Sequence, residues 1–351
     1  MTRADWKKEE TMSRPGMILI AAILGLILAP AWAGAQTVAE WVGRADKAYQ
    51  QKDCRRALTF YTRALGAGAM SPAEKADVLR KRGRCHAILK DYPRAIEDNN
   101  QAIKLNPKLA EAFNNRGICY YRTNRPRLAL KDYDQALALM PGLWQAYFNR
   151  AQLYIKIRRY GPAVQDLKKL SALKPGLGWP FRRLCEVYAY LGKFREAASN
   201  CGQAVKLNPS DSRAYNSRCY LWYRMGKLGL ALKDCDKAIA LQPKFAPAYT
   251  NRCQVFLKRK QYQQAIQECN RSLALNPKSA LTYANRGWAY DGLKQYQRAI
   301  QDYTRAIELR PGYAAAYYWR GRDYQRLGKP DLAKQDFARG RALTQQQFQG
   351  R

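Results

Sequence analysis

Among 351 residues there is one histidine, and 62 Lys and Arg stand against 27 Asp and Glu for a formal net charge of +35. One imidazole cannot build a histidine-based metal centre, and so large a basic excess departs from the mixed signs of an ordinary solvated surface. It points to an anionic partner, whether phospholipid headgroups, nucleic acid or acidic proteins.

The first 35 residues read as a targeting segment. Arg3, Lys7, Lys8 and Arg14 give a basic leader, Met17 to Ala29 is apolar throughout, and Pro30 precedes the small-residue sites Ala31-Trp32-Ala33 and Ala33-Gly34-Ala35. This predicts a secretory signal cut before Gln36 and an exported protein, periplasmic or secreted. The alternative is an inner-membrane anchor formed by residues 17–35. Losing a leader with four basic and three acidic residues lowers the net charge by only one.

Beyond the leader the chain repeats. Residues 280–313 contain two amphipathic runs either side of Lys294-Gln295 and close on Pro311-Gly312, as a helix hairpin does when ended by residues that cannot continue a helix. Pro107, Pro141, Pro175, Pro209, Pro243, Pro277 and Pro311 are spaced by 34 residues. A fixed period of that length marks a helical solenoid.

The pattern resembles the tetratricopeptide repeat, in an exported bacterial form. Repeats two to nine begin at Ala76, Ala110, Trp144, Gly178, Ser212, Ala246, Ala280 and Ala314. The signature's small position 20 holds Ala95, Ala129, Ala163, Ala197, Ala231, Ala265, Ala299 and Ala333, and its large position 4 holds Phe113, Tyr147, Phe181, Tyr215, Tyr249, Tyr283 and Tyr317. A degenerate first repeat starts near Val38, residues 71–75 form a short insertion, and residues 346–351 are a polar tail after a solenoid spanning 36–345. The resemblance implies an all-α fold, a right-handed superhelical solenoid of about nine helix hairpins.

Arg at position 7 and an acid at position 23 travel together, as in Arg82 with Asp98, Arg116 with Asp132, Arg150 with Asp166 and Arg218 with Asp234. Repeat five has Leu184 and Asn200 instead, so both partners vanish at once, which predicts one ion pair per hairpin. Cysteines are paired in the same manner. Cys185 with Cys201, Cys219 with Cys235 and Cys253 with Cys269 are each 16 apart at positions 8 and 24, which face each other in an antiparallel hairpin. Disulfides within the hairpins are expected in an exported chain. The alternative is that these cysteines serve as small buried residues, as Cys119 does. Cys54 with Cys85 is a conceivable further pair, and no metal site is expected.

By resemblance, the first helix of each hairpin lines a concave groove. Asn115, Asn149, Asn251 and Asn285 recur at position 6, like the asparagine ladders that hold extended peptide backbones, because an amide both donates and accepts. Repeat five breaks the ladder with Arg182 and Arg183 after Trp179, in a helix start disturbed by Gly178 and Pro180. Arg80, Arg84, Tyr220, Arg224 and Trp288 complete an Arg and aromatic lining suited to acidic peptides, phosphates or sugars. The two-carboxylate clamp of chaperone-binding relatives is not matched, since Gln145 and Asn149 fall where its cations belong.

An enzyme is not expected. His86 falls at a core position, no glycine-rich phosphate loop interrupts the hairpins, and no cofactor is implied. The expected function is a non-catalytic interaction scaffold of the cell envelope that binds an extended protein segment in the groove. The alternative is an electrostatic binder of an anionic polymer, such as nucleic acid or polysaccharide, or of a membrane surface.

Overall fold

The computed structural model describes residues 37–349, so the leader, with its cleavage and anchor readings, lies outside the described residues. Those residues form 18 α-helices and no strand, and they divide into two compact units after Thr123. None of these helices is long and apolar enough to cross a membrane.

The first unit holds α1 (Val38–Gln50), α2 (Cys54–Gly66), α3 (Pro72–Ile88), α4 (Tyr92–Leu105) and α5 (Ala110–Arg122). The second begins with α6 (Pro126–Leu139) and continues as six hairpins. These are α7 (Trp144–Lys156) with α8 (Tyr160–Leu173), α9 (Gly178–Tyr190) with α10 (Phe194–Leu207), and α11 (Ser212–Arg224) with α12 (Leu228–Leu241). Then come α13 (Ala246–Lys258) with α14 (Tyr262–Leu275), α15 (Ala280–Gly292) with α16 (Tyr296–Leu309), and α17 (Ala314–Arg326) with α18 (Pro330–Gln349). The all-α architecture of helical hairpins is therefore as the 34-residue period implies.

The small residues account for the close packing. Ala95, Ala129, Ala163, Ala197, Ala231, Ala265 and Ala299 are all fully buried, and Tyr61, Tyr133 and Tyr303 fill the core beside them. Gly287 is required by that closeness, since a Cβ there would come within 2.8 Å of the Tyr303 ring. The structure shows what two irregular stretches become. The insertion at residues 71–75 lengthens α3 by a first turn, capped by Ser71 in a reciprocal arrangement with Glu74. Repeat five keeps its register: α9 begins at Gly178, whose missing Cβ admits the carbonyl oxygen of Ala204 (3.0 Å from an added Cβ), but Pro180 in its first turn lacks the N–H that in sister helices, as at Ala146 and Ala214, bonds the carbonyl three residues back.

Six of the position-7 arginines grip their hairpin's acid through Nε and Nη2. The two bonds run from 2.6 to 3.0 Å in Arg82–Asp98, Arg150–Asp166, Arg218–Asp234, Arg286–Asp302 and Arg320–Asp336, and Arg252 holds Glu268 likewise. The carboxylates are only 3 to 6% exposed, so these are one-sidedly buried pairs rather than surface bridges. The remaining Nη1 reaches back to the preceding hairpin's second helix: Arg150 to Asp134, Arg252 to Asp236, Arg286 to Asn270 and Arg320 to Thr304. Repeat five interrupts this stitching, because Leu184 replaces its arginine and Gly202 stands where Arg218 would find its acceptor.

Disulfides join Cys185 to Cys201, Cys219 to Cys235 and Cys253 to Cys269, with Cα separations of 5.1, 5.4 and 5.7 Å. Cys54, Cys85 and Cys119 are buried free thiols, and Cys54 and Cys85 share one hydrophobic cluster. Burial pushes the thiols of Cys85 and Cys119 up to about 12, which keeps them protonated and unreactive at neutral pH.

The turns inside the hairpins use a left-handed residue. Lys52, Lys90, Asn124, Arg158, Lys260 and Lys294 have φ between 57 and 67°, at the position where other turns carry Gly192, Gly226 and Gly328. The next residue starts the second helix. In the first unit that residue is Asp53 or Asp91, each accepting a backbone N–H from the first turn. In the second unit it is Arg125, Arg159, Lys193, Lys227, Gln261 or Gln295, none of which caps with its side chain.

Candidate functional site

The first helices of the second unit lie side by side, α9 against α11, α11 against α13, α13 against α15 and α15 against α17. Of the residues predicted for the groove, Asn149 lies on α7, Trp179, Arg182 and Arg183 on α9, Tyr220 and Arg224 on α11, Asn251 on α13, and Asn285 and Trp288 on α15. Arg80, Arg84 and Asn115 belong to the first unit.

Between α11 and α13, Asn251 Nδ2 donates to Asn216 Oδ1 at 2.9 Å. This uses one donor and one acceptor and leaves Asn251 Oδ1 and Asn216 Nδ2, an acceptor and a donor without a partner among the described residues. Asn216 was not singled out by the sequence. Its neighbour Ser217 stood at the ladder position, and position 5 varies too widely between repeats to draw notice.

Arg182 and Arg183 do not stand as free cations. Arg182 Nη1 donates to Glu186 Oε1 at 2.7 Å, with Asp211 3.7 Å from its Nε, while Arg183 bonds Glu186 and Gln152. Ser217 Oγ also donates to Glu186 Oε1, at 2.7 Å. Glu186 is thus the hub of a network tying three successive first helices together. Trp179 meets Phe148 edge-on at 4.8 Å and so is partly committed to packing.

Tyr220 and Arg224 form one unit, with Arg224 Nη1 3.1 Å from Tyr220 Oη and its guanidinium also 5.9 Å from the Phe194 ring. Further along, Trp288 stacks on Trp319 with ring centres 6.3 Å apart and planes inclined by 14°. Beside them Arg322 and Arg326 both bind Asp291, and Asp323 lies fully buried. Burial, reinforced by the carboxylate of Asp291, raises the Asp323 carboxyl to about 7. Asn285 is 5% exposed with its amide nitrogen unbonded, so it faces the interior more than any ligand.

In the first unit Arg80 is held by Asp77, Lys81 bridges Asp77 and Asp46, and Arg84 lies 5.3 Å over the Tyr49 ring. The amide nitrogen of Asn115 is buried without a hydrogen-bond partner. His86 sits 3.9 Å from both Asp91 and Asp98, and burial lowers its pKa in spite of them, which fits a packed imidazole. Among the described residues there is no group of three or more His, Cys, Asp or Glu placed to hold a metal. An open cavity of about 1320 Å³ lies at the last hairpin, lined by Tyr313, Tyr318, Phe337 and Gly340, and none of the sequence-predicted groove residues borders it.

Family models described as tetratricopeptide repeat match residues 280–313, residues 67–142, and residues 114–177 with 184–244. No curated protein matches the chain. Among solved structures the chain is similar to the APC/C hetero-tetramer Cut9-Hcn1, at 17% identity and a TM-score of 0.60, over 86% of this chain. It spans 58% of the length of that relative. It is also similar to a tetratricopeptide repeat protein from Parabacteroides merdae, at 19% identity and a TM-score of 0.56, over 72% of this chain and 98% of the other. At such identities the likeness concerns the fold. With the unbroken period of prolines, the alanine-packed hairpins and three models of one and the same repeat in agreement, the chain belongs to the tetratricopeptide repeat family.

Proposed function

We propose that the protein is a non-catalytic scaffold of an oxidising, exported compartment that holds an extended protein segment against the first helices of its second unit. The observation that carries this reading is the Asn216–Asn251 pair. Its remaining acceptor and donor complement the N–H and C=O of one peptide group, so the pair reads backbone rather than side chain. Around it, the Tyr220–Arg224 unit and the Trp288–Trp319 stack offer flat contact area. The cations of this face are largely balanced by Glu186, Asp211 and Asp291, which favours a segment bound by hydrogen bonds and burial over one bound by charge alone.

The test uses the oxidised protein immobilised and exposed to an envelope extract, with retained proteins identified. A protein captured by the wild type should be lost with Asn216→Ala/Asn251→Ala, by about tenfold or more if two peptide hydrogen bonds go. Equal capture by the double variant removes this pair from the site.

A further inference from the structure

The balanced groove leaves the basic excess to be placed elsewhere. In the second unit it gathers where each first helix turns into its second. Over six hairpins these turns, residues 156–159, 190–193, 224–227, 258–261, 292–295 and 326–329, hold twelve Lys and Arg and no Asp or Glu. Adjoining turns are neighbours, as shown by Lys258 Nζ donating to the Tyr223 carbonyl at 3.3 Å and by Arg326 binding Asp291 of the previous hairpin. Arg158, Arg159, Lys193, Arg259, Lys260 and Lys294 are exposed there, and among the described residues none of them is ion-paired.

The fold itself does not ask for these cations. Arg158, Lys260 and Lys294 occupy a left-handed conformation that glycine adopts without penalty, and glycine does fill it in three sister turns. Arg159, Lys193 and Lys227 stand at helix starts, where the helix dipole disfavours positive charge and where Asp53 and Asp91 act as caps in the first unit. Basic residues held at positions where local stability favours Gly and Asp point to a role in binding. Exposed apolar side chains accompany them: Tyr190 and Leu191 in one turn are 50 and 41% exposed, and Leu230 and Leu332, each early in a second helix, are 47 and 41% exposed.

We propose that this turn edge docks the protein on an anionic phospholipid surface, the cations meeting headgroup phosphates while Tyr190, Leu191 and Leu230 enter the interfacial layer. A nucleic acid or an acidic polysaccharide would engage the cations but gain little from the leucines. The proposal is independent of the groove reading, because Arg158, Arg159, Lys193, Lys260, Leu191 and Leu230, which its test varies, are not groove residues.

The experiment is co-sedimentation of the oxidised protein with phosphatidylcholine vesicles, with and without phosphatidylglycerol. Binding is expected only to the anionic vesicles. The variant Arg158→Gly/Arg159→Asp/Lys193→Asp/Lys260→Gly should lose more than about tenfold in that binding while its Tm stays level or rises. Leu191→Ser/Leu230→Ser should weaken vesicle binding and leave retention on an oligonucleotide or heparin column unchanged. Equal binding to neutral vesicles, a lowered Tm in the four-residue variant, or a leucine variant that binds vesicles as well as the wild type would each overturn the proposal. Loss of peptide capture in Asn216→Ala/Asn251→Ala with vesicle binding intact would show that the two surfaces are separate.

Discussion

At the scale of single residues, the repeated Arg–acid pair is a case in which one partner is costly to leave alone. Asp166 is 4% exposed, and burial raises its carboxyl pKa even with Arg150 attached. Arg150→Leu should therefore destabilise the protein by about 3 kcal/mol, the cost of an unpaired buried charge. Repeat five shows the remedy, with Leu184 and Asn200 in the same two places. Arg150→Leu/Asp166→Asn should recover much of the loss in urea unfolding, and a double variant as unstable as the single one would contradict this account. Asp323 gives a pH test. Its folded-state carboxyl is raised from 3.8 to about 7, so the folded chain holds that proton more tightly than the unfolded chain. The contribution is full below the ordinary value and is lost as pH rises through about 7. Asp323→Asn should raise Tm by a few degrees at pH 8 and do little at pH 4, whereas an equal effect at both would exclude this origin.

Hairpins were the most legible elements, for a reason that particular residues make plain. The 34-residue proline spacing, the position-20 alanines and the cysteines 16 apart are local rules stated many times over, so each copy corroborates the others. Charge partners were less legible. Arg182 and Arg183 looked like groove cations because their acid, Glu186, lies one helical turn ahead, and the Ser217 that completes the network comes from the next repeat, 31 residues from Glu186. Sequence spacing alone does not say which of several reachable partners a long side chain takes. Repeat five has no position-7 Arg–acid pair of its own and no position-7 arginine joins its second helix to a neighbour, so Cys185–Cys201 is the cross-link between α9 and α10, while Arg182, Arg183 and Glu186 tie only α9 to the adjacent first helices. Each of the three disulfides closes a loop worth about 3 kcal/mol on the chain-entropy model. Reduction should lower Tm, and hydrogen exchange on the reduced protein should quicken first in α9 and α10 among the interior hairpins of the second unit. If α11 to α14 open before them, the stitching argument fails.

On the scale of the whole molecule, a net charge of +35 says how much basic excess there is but not where it acts. In the second unit it is divided unevenly: on the first-helix face Arg182, Arg183 and Arg322 are matched by Glu186, Asp211 and Asp291, whereas the turn residues themselves include no acid and, of their cations, Arg326 reaches one, Asp291. Salt should separate the two surfaces. The Debye length falls from ~10 Å at 0.1 M to ~3 Å at 1 M, so attraction between exposed turn cations and an anionic surface weakens steeply across that range. Amide hydrogen bonds and aromatic contact depend little on screening. One preparation of oxidised protein, with vesicles and an identified protein partner both present, should release the vesicles as salt rises while keeping the partner. Parallel release of both would mean that the groove binds by charge as the turns do, and the balance of arginine and carboxylate seen on its face would then not govern recognition.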